Sequence, residues 1–160
     1  MNICIIVHSQ TGTTLQFAKL LSEKLQARGN QVDVVELRTN KPVIAGSVKH
    51  PPDFELTNLP DISNYDTIIA GGPVWSFSAS PVIYKAITNL PGLRGKKFLP
   101  YVTLAAPLAS MGGTDAIQVM NKAASDQGAE ILTGVALPRL FNNFETAMKR
   151  EAEKICLVLK

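Results

Sequence analysis

Apolar residues fall in two alternating patterns along this chain. Residues 2–7 (NICIIV), 66–71 (DTIIAG) and 97–104 (KFLPYVTL) are short runs with β-branched or aromatic residues. Runs of that length, apolar at nearly every position, mark strands buried on both faces of a parallel sheet. Residues 31–37 (QVDVVEL) alternate more, with Val32, Val34 or Val35 and Leu37 apolar, which predicts a strand nearer an edge. Residues 129–137 (AEILTGVAL) predict a fifth strand, in which Gly134 points to a bulge or a close approach of backbone.

Helical spacing fills the intervals. From Thr14 to Arg28, Ala18, Leu21 and Leu25 recur with Phe17 beside them, and Gly29 follows as the stop. Residues 80–90 open with Ser80 as a cap and Pro81 in the first turn. Residues 114–127 start at Thr114 and Asp115 and end before Gly128; the last helix runs from about Asn143 to Leu159 with Ala147, Ile155 and Leu159 on one side. The order is β-α-β-loop-β-α-β-α-β-α. Strands alternating with helices specify a parallel sheet covered on both faces, because parallel crossovers need a helix. The expected fold is therefore α/β: a three-layer, doubly wound, five-stranded parallel sheet in one domain spanning residues 1–160. Residues 38–62 are the exception, rich in Pro, Asn and Ser with prolines at 42, 51, 52 and 60, and no helix is expected there beyond an irregular turn.

Composition adds bounds to this picture. With 46% hydrophobic and 18% charged residues the chain reads as a well-buried globular protein, and no apolar run is long enough to span a bilayer. Its two cysteines, Cys4 in the first strand and Cys156 in the last helix, stand where small apolar residues would serve, so a reducing, cytoplasmic setting is the expectation. The net charge of +3 is scattered and implies neither a nucleic-acid nor a membrane partner.

The most informative segment follows the first strand: His8-Ser9-Gln10-Thr11-Gly12-Thr13-Thr14, leading straight into the first helix. In an open α/β sheet, ligands bind beyond the carboxyl ends of the strands, where this loop lies. A helix N-terminus offers unpaired N–H groups and partial positive charge, and four hydroxyl residues around Gly12 are more than a helix cap needs. A dianionic phosphate could be held here without arginine or lysine. The loop is not GxGxxG and lacks the Gly-Lys-Ser/Thr of a P-loop, which excludes nucleoside triphosphate hydrolysis.

SQTGTT after a short apolar strand resembles the phosphate-binding motif of the flavodoxin family. The segment GGPVWSFSASPV at 71–82 is similar to that family's second flavin loop, and the resemblance covers nearly the whole chain. It implies strand order 2-1-3-4-5, FMN as cofactor and a redox activity, by one-electron flavin steps in a carrier. It places Ser9, Gln10, Thr11, Gly12, Thr13 and Thr14 at the phosphate, and Pro73, Val74, Trp75, Ser76 and Phe77 at the flavin ring. A third loop contributes Ala105, Ala106, Pro107, Gly112 and Gly113. Physically, Gly71-Gly72-Pro73 would turn sharply at the strand end, and a tryptophan stacked on flavin would exclude water. Trp75 could also be a core residue, and Gly112 and Gly113 could be loop punctuation.

The third loop departs from the carrier pattern, which has an aromatic and acidic residues there; residues 104–113 have neither. One flavin face is then covered only by small aliphatics or Met111, or left open, and an open face admits a nicotinamide or quinone. The alternative reading is an NAD(P)H-dependent FMN or quinone reductase. The basic isoelectric point, near 8.9, also differs from the acidic carriers, so a redox partner protein would be acidic. A cofactor-free interaction module of the same fold is a third reading. A receiver-type signalling domain is excluded, since His8-Ser9 stand where acidic metal ligands would be needed. His8 is expected to be a hydrogen-bonded structural residue and His50 to be solvated; Cys4, Ser9 and Ser76 lack the partners of a nucleophile.

Overall fold

The computed structural model describes residues 1–160. Its elements are β1 (Asn2–Val7), α1 (Thr13–Gln26), β2 (Gln31–Glu36), β3 (Thr67–Trp75), β4 (Ser78–Ala79), α2 (Pro81–Thr88), β5 (Lys97–Leu104), α3 (Gly113–Ser125), β6 (Glu130–Ile131), β7 (Val135–Pro138) and α4 (Phe144–Val158). The main sheet runs β2-β1-β3-β5-β6 with β7 also paired to β5, all parallel, while β4 is antiparallel to β3. Taking β6 and β7 as two halves of one strand, this is the expected order 2-1-3-4-5.

The central strands β1, β3 and β5 are buried along nearly their whole length because both faces are covered. One face packs Ile3, Ile5, Ile69, Leu99 and Tyr101 against α1 and α4 through Phe17, Leu21, Leu25, Ile155 and Cys156. The other packs Cys4, Ile6, Ile68, Phe98 and Val102 against α2 and α3. Salt bridges from Lys24 and Arg28 to Glu153 link α1 to α4. Ser80, the expected cap, accepts from the N–H of Ile83, and Asn143 caps α4 by accepting from that of Thr146. No helix is long and apolar enough to cross a membrane.

Residues 37–66 carry no helix. They are held instead by side-chain amides: Asn58 accepts from the N–H of Arg38 at 2.7 Å and donates to the carbonyl of Glu36 at 2.7 Å, while Asn40 accepts from the N–H of Glu55 at 2.8 Å. Leu37, Phe54 and Ile62 are buried and supply the apolar cover that a crossover helix would otherwise give.

Two strands differ from the sequence expectation, each for a local reason. The fifth is interrupted at 132–134. The N–H groups of Glu130 and Leu132 bond the carbonyls of Lys96 and Phe98, so Pro100, in the same alternation, turns its N–H-free nitrogen towards this neighbour. The ladder breaks opposite that missing donor, and Gly134 closes against the proline: a Cβ there would lie 2.9 Å from Pro100 Cγ. The third strand runs to Trp75 rather than stopping at Gly71. Gly71-Gly72-Pro73 do not turn; they stay extended, paired with Tyr101, Val102 and Thr103 of β5. Gly71 is glycine because the Tyr101 ring crosses it, and a Cβ would lie 2.0 Å from Tyr101 Cζ. The chain reverses three residues later, at Ser76-Phe77, both with positive φ (51° and 60°), the pattern of a type I′ hairpin turn.

Candidate functional site

Four loops follow the carboxyl ends of β1, β3, β5 and β7 and meet at one edge of the sheet. The first, residues 8–12, enters α1 through Gly12, whose φ of +92° places it in the left-handed region and leaves the helix without a side-chain cap. Ser9 Oγ accepts from the N–H of Gly12 at 3.1 Å and of Leu15 at 3.3 Å, which folds the loop over the helix start. The N–H groups of Thr11, Thr13 and Thr14 donate to no protein acceptor. Unpaired amides at a helix N-terminus make an anion site, and the exposed hydroxyls of Thr11 and Thr13, 3.4 Å apart, stand beside them.

Thr14 plays a different part. Its hydroxyl turns inward to Thr103 Oγ1 at 2.7 Å, and its carbonyl accepts from Tyr101 Oη at 2.9 Å, both contacts buried. The sheet thus clamps the first turn of α1 from below. Gln10 reaches sideways, donating to the Ile44 carbonyl at 3.2 Å and joining the phosphate-type loop to the long 37–66 segment.

A cavity of about 240 Å³ opens beside this loop, lined among others by Thr11, Thr13, Pro73, Val74, Trp75 and Ala105. Gln10 and Thr14 also border it, so eight of the sixteen residues singled out in the sequence converge here. The rest lie around or beneath. Ser9 and Gly12 shape the loop. Ser76 and Phe77 form the hairpin tip, with Phe77 71% exposed. Ala106 and Pro107 continue the third loop; Gly112 and Gly113 are buried packing positions. A Cβ on Gly112 would lie 2.8 Å from Phe77 Cα, and one on Gly113 would lie 3.1 Å from Ala136 Cβ, so these glycines dock the third loop on its neighbours.

Thr103, Leu104 and Arg139 line the cavity too and were not singled out from the sequence. Thr103 and Leu104 looked like ordinary strand residues. Arg139 could have been found: it directly follows the last strand, at the same carboxyl edge as the other three loops.

Trp75 is half-buried, and the His8 ring meets it edge-on at 5.1 Å between centroids, 82° between planes. His8 Nδ1 lies 2.7 Å from Ser80 Oγ, and burial pushes its pKa down to about 4, so the ring is neutral near pH 7. This is the structural histidine expected. The Cys4 thiol, buried and facing the Asp33 charge, is pushed up to about 12, which leaves it unreactive.

The sequence matches the family of NADPH-dependent FMN reductases over residues 1–147. The chain belongs to that family. Membership bears out the reading as a flavodoxin-like FMN protein and is equally compatible with its reductase form. No curated protein matches the sequence. Among solved structures, flavodoxin 1 from Bacillus cereus is similar with 18% identity, 97% of each chain covered and a TM-score of 0.64. A flavoprotein from Lactobacillus acidophilus NCFM in complex with FMN is similar with 16% identity, 93% of this chain and 97% of that one covered, and a TM-score of 0.64. A flavodoxin variant from Pseudomonas aeruginosa gives 15% identity, 98% and 97% coverage and a TM-score of 0.68. At these identities the likeness is one of fold.

Proposed function

We propose that this family member is an FMN-dependent reductase taking hydride from NAD(P)H, with one flavin face left open to the donor. The observation that carries the reading is the asymmetry of the cavity. Its lining joins Thr11 and Thr13, beside the unpaired amides, to a single aromatic ring, Trp75, while the third loop supplies only Leu104 and Ala105, with no ring.

The donor set fits FMN. Neutral hydroxyls and helix amides suit a phosphate dianion, and Pro73, Val74, Trp75 and Leu104 suit an apolar ring. At about 240 Å³ the cavity is below the usual range of roughly 300–1,000 Å³ for enclosed ligand sites, so a flavin seated there stays partly exposed. Ser9, Gln10, Thr11, Gly12, Thr13 and Thr14 would hold the phosphate. Pro73, Val74 and Trp75, with Ser76 and Phe77 at the rim, would flank the ring opposite Ala105, Ala106 and Pro107. When bound, FMN supplies a ring that accepts hydride or single electrons; the protein binds it, orients it and excludes water on the Trp75 side. His8 keeps the Trp75 ring in place and, being neutral, adds no charge beside it.

A second reading is one-electron transfer to a protein. Phe77, Leu108, Met111, Leu140 and Phe141 are all exposed on the loops at this edge, an apolar rim of the kind a partner covers. With a net charge of +3 such a partner would be acidic. Two buried free thiols suit a reducing cytoplasm.

The test is to add FMN to the purified protein and mix the complex rapidly with NADPH or NADH. The reading expects quenching of FMN fluorescence at micromolar concentration and fast bleaching of the flavin by a dinucleotide. No FMN binding would overturn the cofactor, and binding without bleaching would leave the carrier.

A further inference from the structure

We propose that Arg139 recognises a phosphate of the dinucleotide donor, in a second cavity that adjoins the flavin site; this rests on the reductase reading above. The second cavity, of about 480 Å³, is lined by Thr13, Gln16, Ala105, Arg139, Leu140 and Phe144. It shares Thr13, Ala105 and Arg139 with the first. Arg139 is the only charged side chain lining either.

Two contacts hold Arg139 in place. Its N–H donates to the Leu104 carbonyl at 3.0 Å, which holds its Cα beside the end of β5. Its guanidinium lies over the Phe144 ring, 6.0 Å from the centroid. It joins none of the molecule's ion pairs, so its charge is not neutralised internally. Eight of the other fifteen lysines and arginines are paired, among them Lys24 and Arg28 with Glu153.

The guanidinium is exposed and free of ion pairs, so it is open to an anionic ligand, and its planar fork matches the oxygens of a phosphate. The FMN phosphate is already provided for by the unpaired amides and hydroxyls of the α1 start. Arg139 is therefore left for a second phosphate. Its surroundings suit a nucleotide: Phe144 and Leu140 give an apolar wall for a base, and Thr13 and Gln16 give hydrogen-bonding groups for a ribose. The bare Ala105 edge joins the two cavities, so one molecule can place its nicotinamide on the flavin side and its phosphate on Arg139. Either the diphosphate common to NADH and NADPH or the 2′-phosphate of NADPH meets this chemistry.

The test compares wild type with Arg139→Gln and Arg139→Lys. 2′,5′-ADP is titrated calorimetrically into each protein, with and without FMN, and KM and kcat are measured with NADPH and NADH. Loss of a charge-assisted phosphate contact is expected to weaken 2′,5′-ADP binding about tenfold in Arg139→Gln, with Arg139→Lys between the two. The effect on turnover should fall on KM. A rise with NADPH alone assigns the 2′-phosphate, and a rise with both dinucleotides assigns the diphosphate; either supports the proposal. Equal 2′,5′-ADP binding by all three proteins overturns it. So does a loss of FMN affinity without loss of riboflavin affinity, which would give Arg139 to the flavin's own phosphate. A wild-type protein that binds 2′,5′-ADP through Arg139 but binds no FMN would instead count against the reductase reading alone.

Discussion

The phenol of Tyr101 donates to the carbonyl of Thr14 at 2.9 Å, tying the middle of β5 to the first turn of α1. The bond passes over Gly71, through space that any larger residue would fill, and it is seconded by the 2.7 Å contact between Thr14 and Thr103. Both anchors lie directly beneath the amides that point at the candidate anion site. The loop is therefore held in shape before any ligand arrives, which lowers the ordering cost of binding.

Replacing Tyr101 by Phe keeps the ring against Phe17 and removes only the hydroxyl. Urea unfolding should show a loss of about 1 kcal/mol, the usual net value of one hydrogen bond. Fluorescence titration should show FMN weakened more than riboflavin, because the loosened turn carries the phosphate amides. Equal weakening of the two ligands would mean that the bond supports the fold and not the loop.

Gly71→Ala places a methyl group within 2.0 Å of Tyr101 Cζ. Overpacking of that kind costs roughly 1–3 kcal/mol, and more where backbone cannot yield. A central strand paired on both sides yields little. Adding Tyr101→Ala should give a double variant more stable than the sum of the single losses predicts, a coupling that a denaturation cycle measures. Strict additivity would show that the two residues do not meet.

Thr11→Ala combined with Thr13→Ala should weaken FMN at least tenfold and leave riboflavin nearly unchanged, since only FMN carries a phosphate. Comparable losses for both flavins would place these hydroxyls elsewhere.

His8 makes stability depend on pH in a defined window. Its pKa is lowered from 6.5 to about 4 by burial, so between those values the unfolded chain binds more protons than the folded protein. Its contribution is complete above pH 6.5 and is lost as pH falls towards 4, on the order of 3 kcal/mol in all. Urea midpoints of wild type and His8→Gln at pH 7.5, 6 and 5 give the difference curve that isolates it; a flat curve would refute the assignment. Trp75 is the only tryptophan, so its fluorescence reports the same event.

Ser76 and Phe77 pay a conformational cost for their positive φ, about 1–3 kcal/mol each in the general case. Asn-Gly is the favoured pair in such a turn. Ser76→Asn with Phe77→Gly should therefore raise the melting temperature while removing the exposed Phe77 ring. If a protein partner docks on the rim, transfer to that partner is slowed more than dinucleotide oxidation. A lower melting temperature would show that Phe77 packs usefully against Gly112.

Much of this molecule was legible in the sequence, because its signals are local. The runs at 2–7 and 97–104 are strands as expected, Ser80 and Asn143 cap the helices they precede, and the hydroxyl-rich loop lies at a helix start with free amides. Residues 71–73 were misread for an equally physical reason. Gly-Gly-Pro reads as a turn on local propensity, but its glycines answer to Tyr101 and Ile83, residues distant in sequence that fill the space above them. The break in the last strand is similar: Gly134 hinted at it, while its cause, Pro100, lies on the neighbouring strand.

Hydrophobic periodicity, turn residues and caps act over a few positions, so the sequence alone determined the element order, the parallel sheet and the place of the anion loop. Only the tertiary structure decided that Thr14 faces inward to Thr103 while Thr11 and Thr13 face out. Only it showed that Gly112 serves the hairpin. Those assignments depend on which side chains share a space after the strands align, and no spacing along one strand encodes its neighbour's contents.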